Sequence, residues 1–185
     1  MKIPITLNGE MRVLEADPTM SLLEVLRREG VISAKLGCAQ GRCGSCTVLL
    51  DGKAVPSCII PFVAVRDTSI VTMEQFSKTK EYELIVESFE KAGVQLCGFC
   101  NAGKILGTYS LISTYQRPSH QLIYDMVRHF DCSCTEQDSL MQGIDFAVAA
   151  FQSYAHKRQE KEKISIIPKL PNFTYLKKAQ PFGYY

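Results

Sequence analysis

The chain has 185 residues, of which 46% are apolar, so it can bury a core as one domain or as two small ones. Its 21 basic and 19 acidic residues leave a net charge of +2, which gives no electrostatic reason to expect a nucleic-acid partner. Charged or polar residues interrupt every hydrophobic segment before it reaches the ~18 residues of a membrane span. The opening residues MKIPITLNGE lack the basic and apolar regions of a secretory signal, so we expect a cytoplasmic protein.

The first 30 residues predict a β-hairpin followed by a helix. Apolar residues alternate with polar or small ones on both sides of an Asn8-Gly9 turn pair. The apolar positions are Ile3, Ile5 and Leu7 on the first strand and Met11 and Val13 on the return strand. Ser21 and Glu24 have the spacing of a capping box and Gly30 is a stop signal, so residues 21 to 29 are predicted to be helical.

The segment GCAQGRCGSC carries the first group of cysteines. Three of them have the spacing C-x4-C-x2-C, and a fourth follows after eleven residues; they are Cys38, Cys43, Cys46 and Cys58. This spacing is typical of a plant-type [2Fe-2S] cluster. The glycines in the loop let the backbone N–H groups approach the sulfur atoms closely. The alternative is a zinc ion held by four cysteines, but zinc knuckles usually use two separated C-x2-C pairs.

Short strand signals continue after this loop. Residues 47–50 are apolar and β-branched, Asp51-Gly52 is a turn pair, and residues 54–55 and 70–73 read as further strands. The order of hairpin, helix, cysteine loop, hairpin and strand predicts a β-grasp fold.

The chain from residue 81 predicts four helices. The expected spans are residues 81–92, residues 102–115, a helix capped by Ser119 that ends near Phe130, and a last helix that begins after Thr135. The second group of cysteines lies at the ends of these helices, as Cys97, Cys100, Cys132 and Cys134. A second [2Fe-2S] cluster is our interpretation, and a zinc site and a redox disulfide are the alternatives.

The ordered combination GCAQGRCGSCTV, DGKAVPSC, CGFC and CSCT resembles the small iron-sulfur subunit of the molybdenum hydroxylases, the xanthine dehydrogenase family. The resemblance covers residues 2 to about 155. It implies an α+β protein with a plant-ferredoxin-like β-grasp domain at residues 1–76 and an all-α four-helix domain at residues 77–157.

The resemblance also implies a role in electron transfer without bond-making chemistry in this chain. Cys97, Cys100, Cys132 and Cys134 would hold the cluster near molybdopterin in a large subunit. Cys38, Cys43, Cys46 and Cys58 would hold the distal cluster, next to FAD in a medium subunit. A purine or another N-heterocycle is the expected substrate class of the complex. The alternatives from other classes are a free-standing ferredoxin with two clusters and a zinc-bound structural adaptor.

Three positions depart from the family pattern. The family has a pterin-contacting glutamine directly before the first cysteine of the helical domain, where this chain has Leu96; Gln95, one place earlier, is our candidate contact. Asn101 replaces a threonine that precedes a proline and is a candidate helix cap. Ser133 replaces an arginine, and the lost positive charge predicts a cluster that is harder to reduce.

The last residues differ in composition from the rest. They contain three prolines and several aromatic residues without a clear period. We expect residues 158–185 to form an extended arm across a partner, with the flavin subunit favoured. The expected anchors are Phe173, Tyr175, Phe182 and Tyr184 or Tyr185.

Overall fold

A computed structural model describes residues 1–130 and 132–160 of the chain, with side chains up to residue 156. Its last helix continues to Glu160. The arm predicted from residue 158 therefore begins within that helix, and its remainder, with all the expected anchors, lies outside the described residues.

The first half is a mixed five-stranded sheet with one helix across it. The strands are β1 (Lys2–Leu7), β2 (Glu10–Glu15), β3 (Thr47–Leu50), β4 (Lys53–Pro56) and β5 (Ser69–Val71). They lie in the order β2-β1-β5-β3-β4, with β1 parallel to β5 and the other neighbours antiparallel. With helix α1 (Leu22–Arg28) after the first hairpin, this is the predicted β-grasp fold.

The apolar pattern predicted for the return strand was wrong. Met11 and Val13 are exposed, and the residue that faces the core from β2 is Leu14. The two-residue Asn8-Gly9 turn pairs Leu7 with Glu10, which places Leu14 opposite Ile3. Residues that pair across strands share a face of the sheet, so the register buries Leu14 and turns Met11 and Val13 to the other face.

Helix α1 begins as predicted. The Ser21 side chain accepts a hydrogen bond from the Glu24 N–H, and the Glu24 carboxylate accepts one from the Ser21 N–H, which completes the capping box. Four residues of α1 are buried against the sheet: Leu22, Leu23, Val25 and Leu26.

The connection between the halves differs from the prediction. The last strand ends at Val71, and a short helix α2 (Met73–Phe76) begins where a strand residue was expected. The Glu74 carboxylate in α2 accepts hydrogen bonds from the Ile32 and Ser33 N–H groups, at 3.0 and 2.8 Å. These hydrogen bonds fix the segment before the first cysteine loop to the connection between the two halves.

The described part of the second half contains four main helices, as predicted. They are α3 (Lys80–Lys91), α4 (Asn101–Tyr115), α5 (His120–Val127) and α6 (Gln137–Glu160). Ser119 caps α5 by accepting the Leu122 N–H. Helix α6 begins after Thr135, as predicted, and the Thr135 hydroxyl donates to the Gln95 carbonyl at 2.8 Å.

The two halves pack against each other along one face of the sheet. One core lies between the sheet and α1, and a second core lies among the helices and includes Leu49 of β3. The Ala54 N–H of β4 donates to the Ser110 hydroxyl of α4 at 3.1 Å. None of the helices in the described residues is long and apolar enough to cross a membrane.

Candidate iron-sulfur sites

The first cysteine loop directs backbone N–H groups at a sulfur atom. Cys38 Sγ accepts from the N–H groups of Gln40, Arg42 and Cys43, at 3.4, 3.3 and 3.4 Å. Cys43 Sγ accepts in turn from the Cys38 N–H at 3.4 Å. Donors arranged in this way stabilise negative charge on sulfur, which is what a thiolate ligand carries.

The same donors change the acidity of Cys38. Desolvation opposes ionisation, but the N–H groups of Cys43, Gln40 and Arg42 outweigh it and lower the pKa of Cys38 to about 6. The loop therefore stabilises a thiolate at this position before any metal binds.

Gly37 allows the loop to close tightly. A Cβ at this residue would lie 2.6 Å from both Cys43 Sγ and Ser45 Oγ, too close for any side chain. Ser45 is buried and its hydroxyl lies 3.0 Å from Cys43 Sγ. The loop thus packs closely around the Cys43 sulfur, and a side chain at residue 37 would occupy that space.

Cys46 and Cys58 form a second contact at this site. Cys46 is buried, and desolvation together with hydrogen bonding to the Cys58 side chain raises its pKa to about 11. Ser57 holds the turn that carries Cys58, because its hydroxyl donates to the Cys46 carbonyl at 2.6 Å. The chain thereby brings the distant fourth cysteine next to the third.

The second group of cysteines also forms two pairwise contacts. Cys100 Sγ lies 3.5 Å from Cys132 Sγ, and the Cys97 and Cys134 side chains share a hydrogen bond. Sulfurs at that separation are not bonded to each other, and none of the eight cysteines forms a disulfide.

At the second site, the pKa values of the two cysteines in each contact shift in opposite directions. Desolvation raises the pKa of Cys100 to about 11. Desolvation also opposes ionisation of Cys132, but the Cys134 N–H, the Cys100 thiol and the Lys104 ammonium outweigh it and lower the pKa of Cys132. The pKa of Cys97 is lowered by the Phe99 N–H and the Cys134 thiol.

The arrangement of the sulfurs fits a two-iron cluster better than one metal ion. A zinc site requires four sulfurs about 2.3 Å from one centre. The thiols lie instead as two contacting pairs at each site, and each iron of a [2Fe-2S] cluster takes two thiolates. The donor set and its pairing therefore fit a [2Fe-2S] cluster at both sites.

Sequence reasoning missed Lys104. This lysine is fully buried near the start of α4, and its ammonium donates to the Gln95 carbonyl at 3.2 Å and to the Thr135 hydroxyl. A signal was present, since Lys104 is the only charged residue in the sequence of α4. A lone charge in an otherwise uncharged helix indicates a specific partner.

The other predicted residues near the second site have mixed roles. The Gln95 side chain is exposed and Leu96 is half-buried, and a contact of Gln95 with a pterin stays a prediction. Asn101 is not the cap of α4, because Cys100 holds that position. The Asn101 side chain instead accepts the Gly98 N–H at 3.1 Å and so braces the loop between Cys97 and Cys100.

The two sites are neighbours. The Lys35 ammonium, just before the first cysteine loop, donates to the Gly98 carbonyl in the second loop. A Cβ built on Gly103 would lie 2.7 Å from the Gly44 Cα, so the first turn of α4 touches the first cysteine loop through backbone. Phe130 packs against both glycines.

Comparisons with known proteins agree with two cluster-binding domains. A family described as "2Fe-2S iron-sulfur cluster binding domain" matches residues 5–69, and a "[2Fe-2S] binding domain" family matches residues 72–145. The chain therefore has the domain composition of a protein with two [2Fe-2S] clusters.

Relatives define the class more closely. The chain is 31% identical over 147 residues to the nicotinate dehydrogenase small FeS subunit of Eubacterium barkeri, covering 79% of this chain and 94% of that subunit. It is 37% identical over 111 residues to the xanthine dehydrogenase iron-sulfur-binding subunit of Escherichia coli O157:H7, covering 60% and 70%. The crystal structure of quinoline 2-oxidoreductase from Pseudomonas putida 86 contains a chain that superposes with a TM-score of 0.71 at 33% identity, covering 82% and 96%.

The chain belongs to the family of small [2Fe-2S] subunits of the molybdenum hydroxylases. It is an electron-transfer subunit of such an enzyme and not its catalytic subunit.

Proposed function

We propose that the chain relays electrons from molybdopterin in a large subunit to FAD in a medium subunit. Cys97, Cys100, Cys132 and Cys134 would hold the first cluster on this route, and Cys38, Cys43, Cys46 and Cys58 the second. When bound, a [2Fe-2S] cluster takes up and releases single electrons. The contribution of this chain is to hold, shield and space the two sites.

The observation that carries the proposal is the backbone contact between the two cysteine loops. Gly44 lies between Cys43 and Cys46, and Gly103 lies three residues after Cys100. A Cβ on either glycine would clash with the other residue's backbone or with Phe130. Side chains are thus excluded from this contact, which lets the two cysteine loops approach each other closely.

The exposure of the second loop supports its place next to a partner. Cys97 and Cys134 are exposed, and Phe99 between the first two cysteines is 50% exposed. An exposed aromatic residue beside a redox site is suited to an interface, where aromatic residues are enriched. The large subunit would cover this loop.

The substrate class follows from the relatives. Their names refer to nicotinate, xanthine, nicotine and quinoline, all of them N-heterocycles, and also to aldehydes. An N-heterocycle, with purines included, is therefore the substrate class that we propose for the whole complex.

The order of the relay can be tested by interrupting it at one site at a time. The experiment uses the purified complex with Cys134→Ser or Cys58→Ser in this chain, and flavin bleaching and cluster EPR after anaerobic addition of nicotinate or xanthine. Both variants should slow flavin reduction strongly. Only Cys58→Ser should still allow the helical-domain cluster to be reduced by substrate.

Two results would contradict the proposed order. One is a β-grasp-domain cluster that substrate reduces at the normal rate in the Cys134→Ser complex. The other is flavin reduction at the unmodified rate in both variants, which would show that electrons bypass this chain.

A further inference from the structure

A buried lysine contacts the second group of cysteines. Lys104 lies one turn after Cys100 in α4 and its side chain is 0% exposed. Among the residues that the structure describes, it is the one charged residue that is fully buried. Burying an ammonium is unfavourable unless it is hydrogen-bonded and has a counter-charge, so its surroundings must supply both.

The hydrogen bonds match an ammonium group. A protonated lysine has three N–H donors. The Gln95 carbonyl at 3.2 Å and the Thr135 hydroxyl accept from Lys104 Nζ, and the Cys132 sulfur is a third neighbour that interacts with the ammonium. Thr135 donates its own proton to the Gln95 carbonyl at 2.8 Å, so its oxygen offers a lone pair to the lysine. The ammonium therefore has three polar neighbours, one for each donor.

The counter-charge comes from the cysteines. Lys104 contacts Cys132 and interacts electrostatically with Cys100, and these two sulfurs lie 3.5 Å apart. The same lysine also joins three segments, since Gln95 precedes the first cysteine of the site and Thr135 follows the last. The ammonium is thus fixed in place beside the sulfur atoms by groups on both sides of the site.

We propose that Lys104 is a positioning residue for electron transfer, whose buried positive charge raises the reduction potential of the cluster in the helical domain. This rests on the proposed function, because it requires a cluster at Cys97, Cys100, Cys132 and Cys134. A one-electron reduction adds one negative charge to the cluster, so a fixed cation beside its sulfurs stabilises the reduced form more than the oxidised form. Unit charges about 4 Å apart at an effective dielectric constant of about 20 interact strongly enough to change an equilibrium constant more than tenfold.

The Lys104 charge also changes the reduction potential that we expect for the helical-domain cluster. From Ser133 in place of an arginine, the sequence predicted a cluster that is harder to reduce. Ser133 lacks the arginine charge of the family pattern, and its side chain is exposed. Lys104 supplies a positive charge to the same sulfurs from the buried side. A buried charge is screened less by water and salt than an exposed one, so it acts more strongly per unit charge.

The test uses the intact complex, purified anaerobically, with Lys104→Gln, Lys104→Arg or the control Lys91→Gln. Glutamine keeps N–H donors but removes the charge, arginine keeps the charge, and Lys91 is an exposed lysine at the end of α3. Potentiometric EPR titration gives the reduction potential of each cluster separately. Circular dichroism and iron content report whether each variant is folded and loaded.

Lys104→Gln should lower the equilibrium constant for reducing the helical-domain cluster at least about tenfold, a shift of about 59 mV for one electron. The other cluster should keep its potential, and Lys104→Arg and Lys91→Gln should leave both close to the unmodified values. A fully loaded Lys104→Gln complex with an unmoved potential would overturn the proposal.

If Lys104→Gln loses the helical-domain cluster, the result for Lys104→Arg decides whether the proposal holds. Retention of the cluster there with a near-normal potential supports the proposal, and a cluster lost equally from both variants overturns it. Failure of the proposed relay is distinguishable, because it shows in the substrate reduction of clusters and flavin in the Cys134→Ser and Cys58→Ser complexes, whereas the Lys104 variants are judged by the equilibrium potential of one cluster.

Discussion

Gly44 of the first cysteine loop and Gly103 of α4 meet backbone to backbone, with a Cβ on Gly103 placed only 2.7 Å from the Gly44 Cα and 2.9 Å from its carbonyl oxygen. These two residues join the two halves of the molecule at the point where the two groups of cysteines approach each other. In the relay that we propose, this contact would set the separation of the two sites.

The first prediction follows from this contact. Gly103→Ala should destabilise the protein by about 1–3 kcal/mol, because the added methyl group overlaps Gly44 and Phe130. Alanine in place of glycine at an open helix position would stabilise by up to about 1 kcal/mol, so the two effects differ in sign. Urea unfolding of the loaded protein measures the difference.

Gly107 provides the matched control on the same helix. A Cβ there would meet only Met126 Sδ at 3.5 Å and Phe130 Cζ at 3.6 Å, which are ordinary contacts. Gly107→Ala should therefore leave stability unchanged or raise it. Equal effects of the two substitutions would show that the close approach of Gly103 to Gly44 is not real.

The second prediction concerns Glu74, which connects α2 to the segment before the first cysteine loop. Desolvation opposes its ionisation, but hydrogen bonds from Ser33, Thr72 and the backbone outweigh it and lower the pKa of Glu74 below its usual value of 4.5. A carboxyl with a lowered folded-state pKa adds stability that is present above pH 4.5 and is lost as the pH falls through the folded-state value.

Glu74→Gln should therefore destabilise the protein at neutral pH by about 1–3 kcal/mol, and by less in acid. Urea midpoints at neutral pH and below pH 4.5 give the comparison. Glu15→Gln is the control, because Glu15 forms an exposed ion pair with Lys2 at 3.8 Å, and such pairs contribute at most about 1 kcal/mol. A Glu74→Gln effect that does not depend on pH would contradict the account.

The third prediction restores a charge to the second cysteine group. Ser133 lies between Cys132 and Cys134, and Ser133→Arg should raise the reduction potential of the helical-domain cluster. Ser153→Arg on the exposed face of α6 is the control and should leave the potential unchanged. A potential in Ser133→Arg that stays constant or falls would refute the expectation.

The sequence predicted those features that depend on local spacing. The Ser21 capping box, the Ser119 cap, and the order of the five strands, α1 and the four later helices follow from neighbouring residues, and the structure has them; the short helix α2 was not predicted. The burial of Leu14 could also have been predicted, because counting outward from a two-residue Asn8-Gly9 turn places it opposite Ile3.

Other features depend on how distant segments come together. The buried position of Lys104 results from the meeting of α4 with segments around Gln95 and Thr135, which are 40 residues apart. The contact of Gly44 with Gly103 joins the two halves of the chain. Neither spacing nor periodicity within a single segment contains this information, so only the folded structure could reveal it.

The central claim is that eight cysteines bind two separate two-iron clusters, and iron analysis tests it most directly. Anaerobically purified protein should contain about four irons per chain, and Cys43→Ser and Cys134→Ser should each reduce this to about two while leaving the other cluster's EPR signal in place. Fewer than about four irons in the unmodified chain, or zinc in their place, would contradict the account.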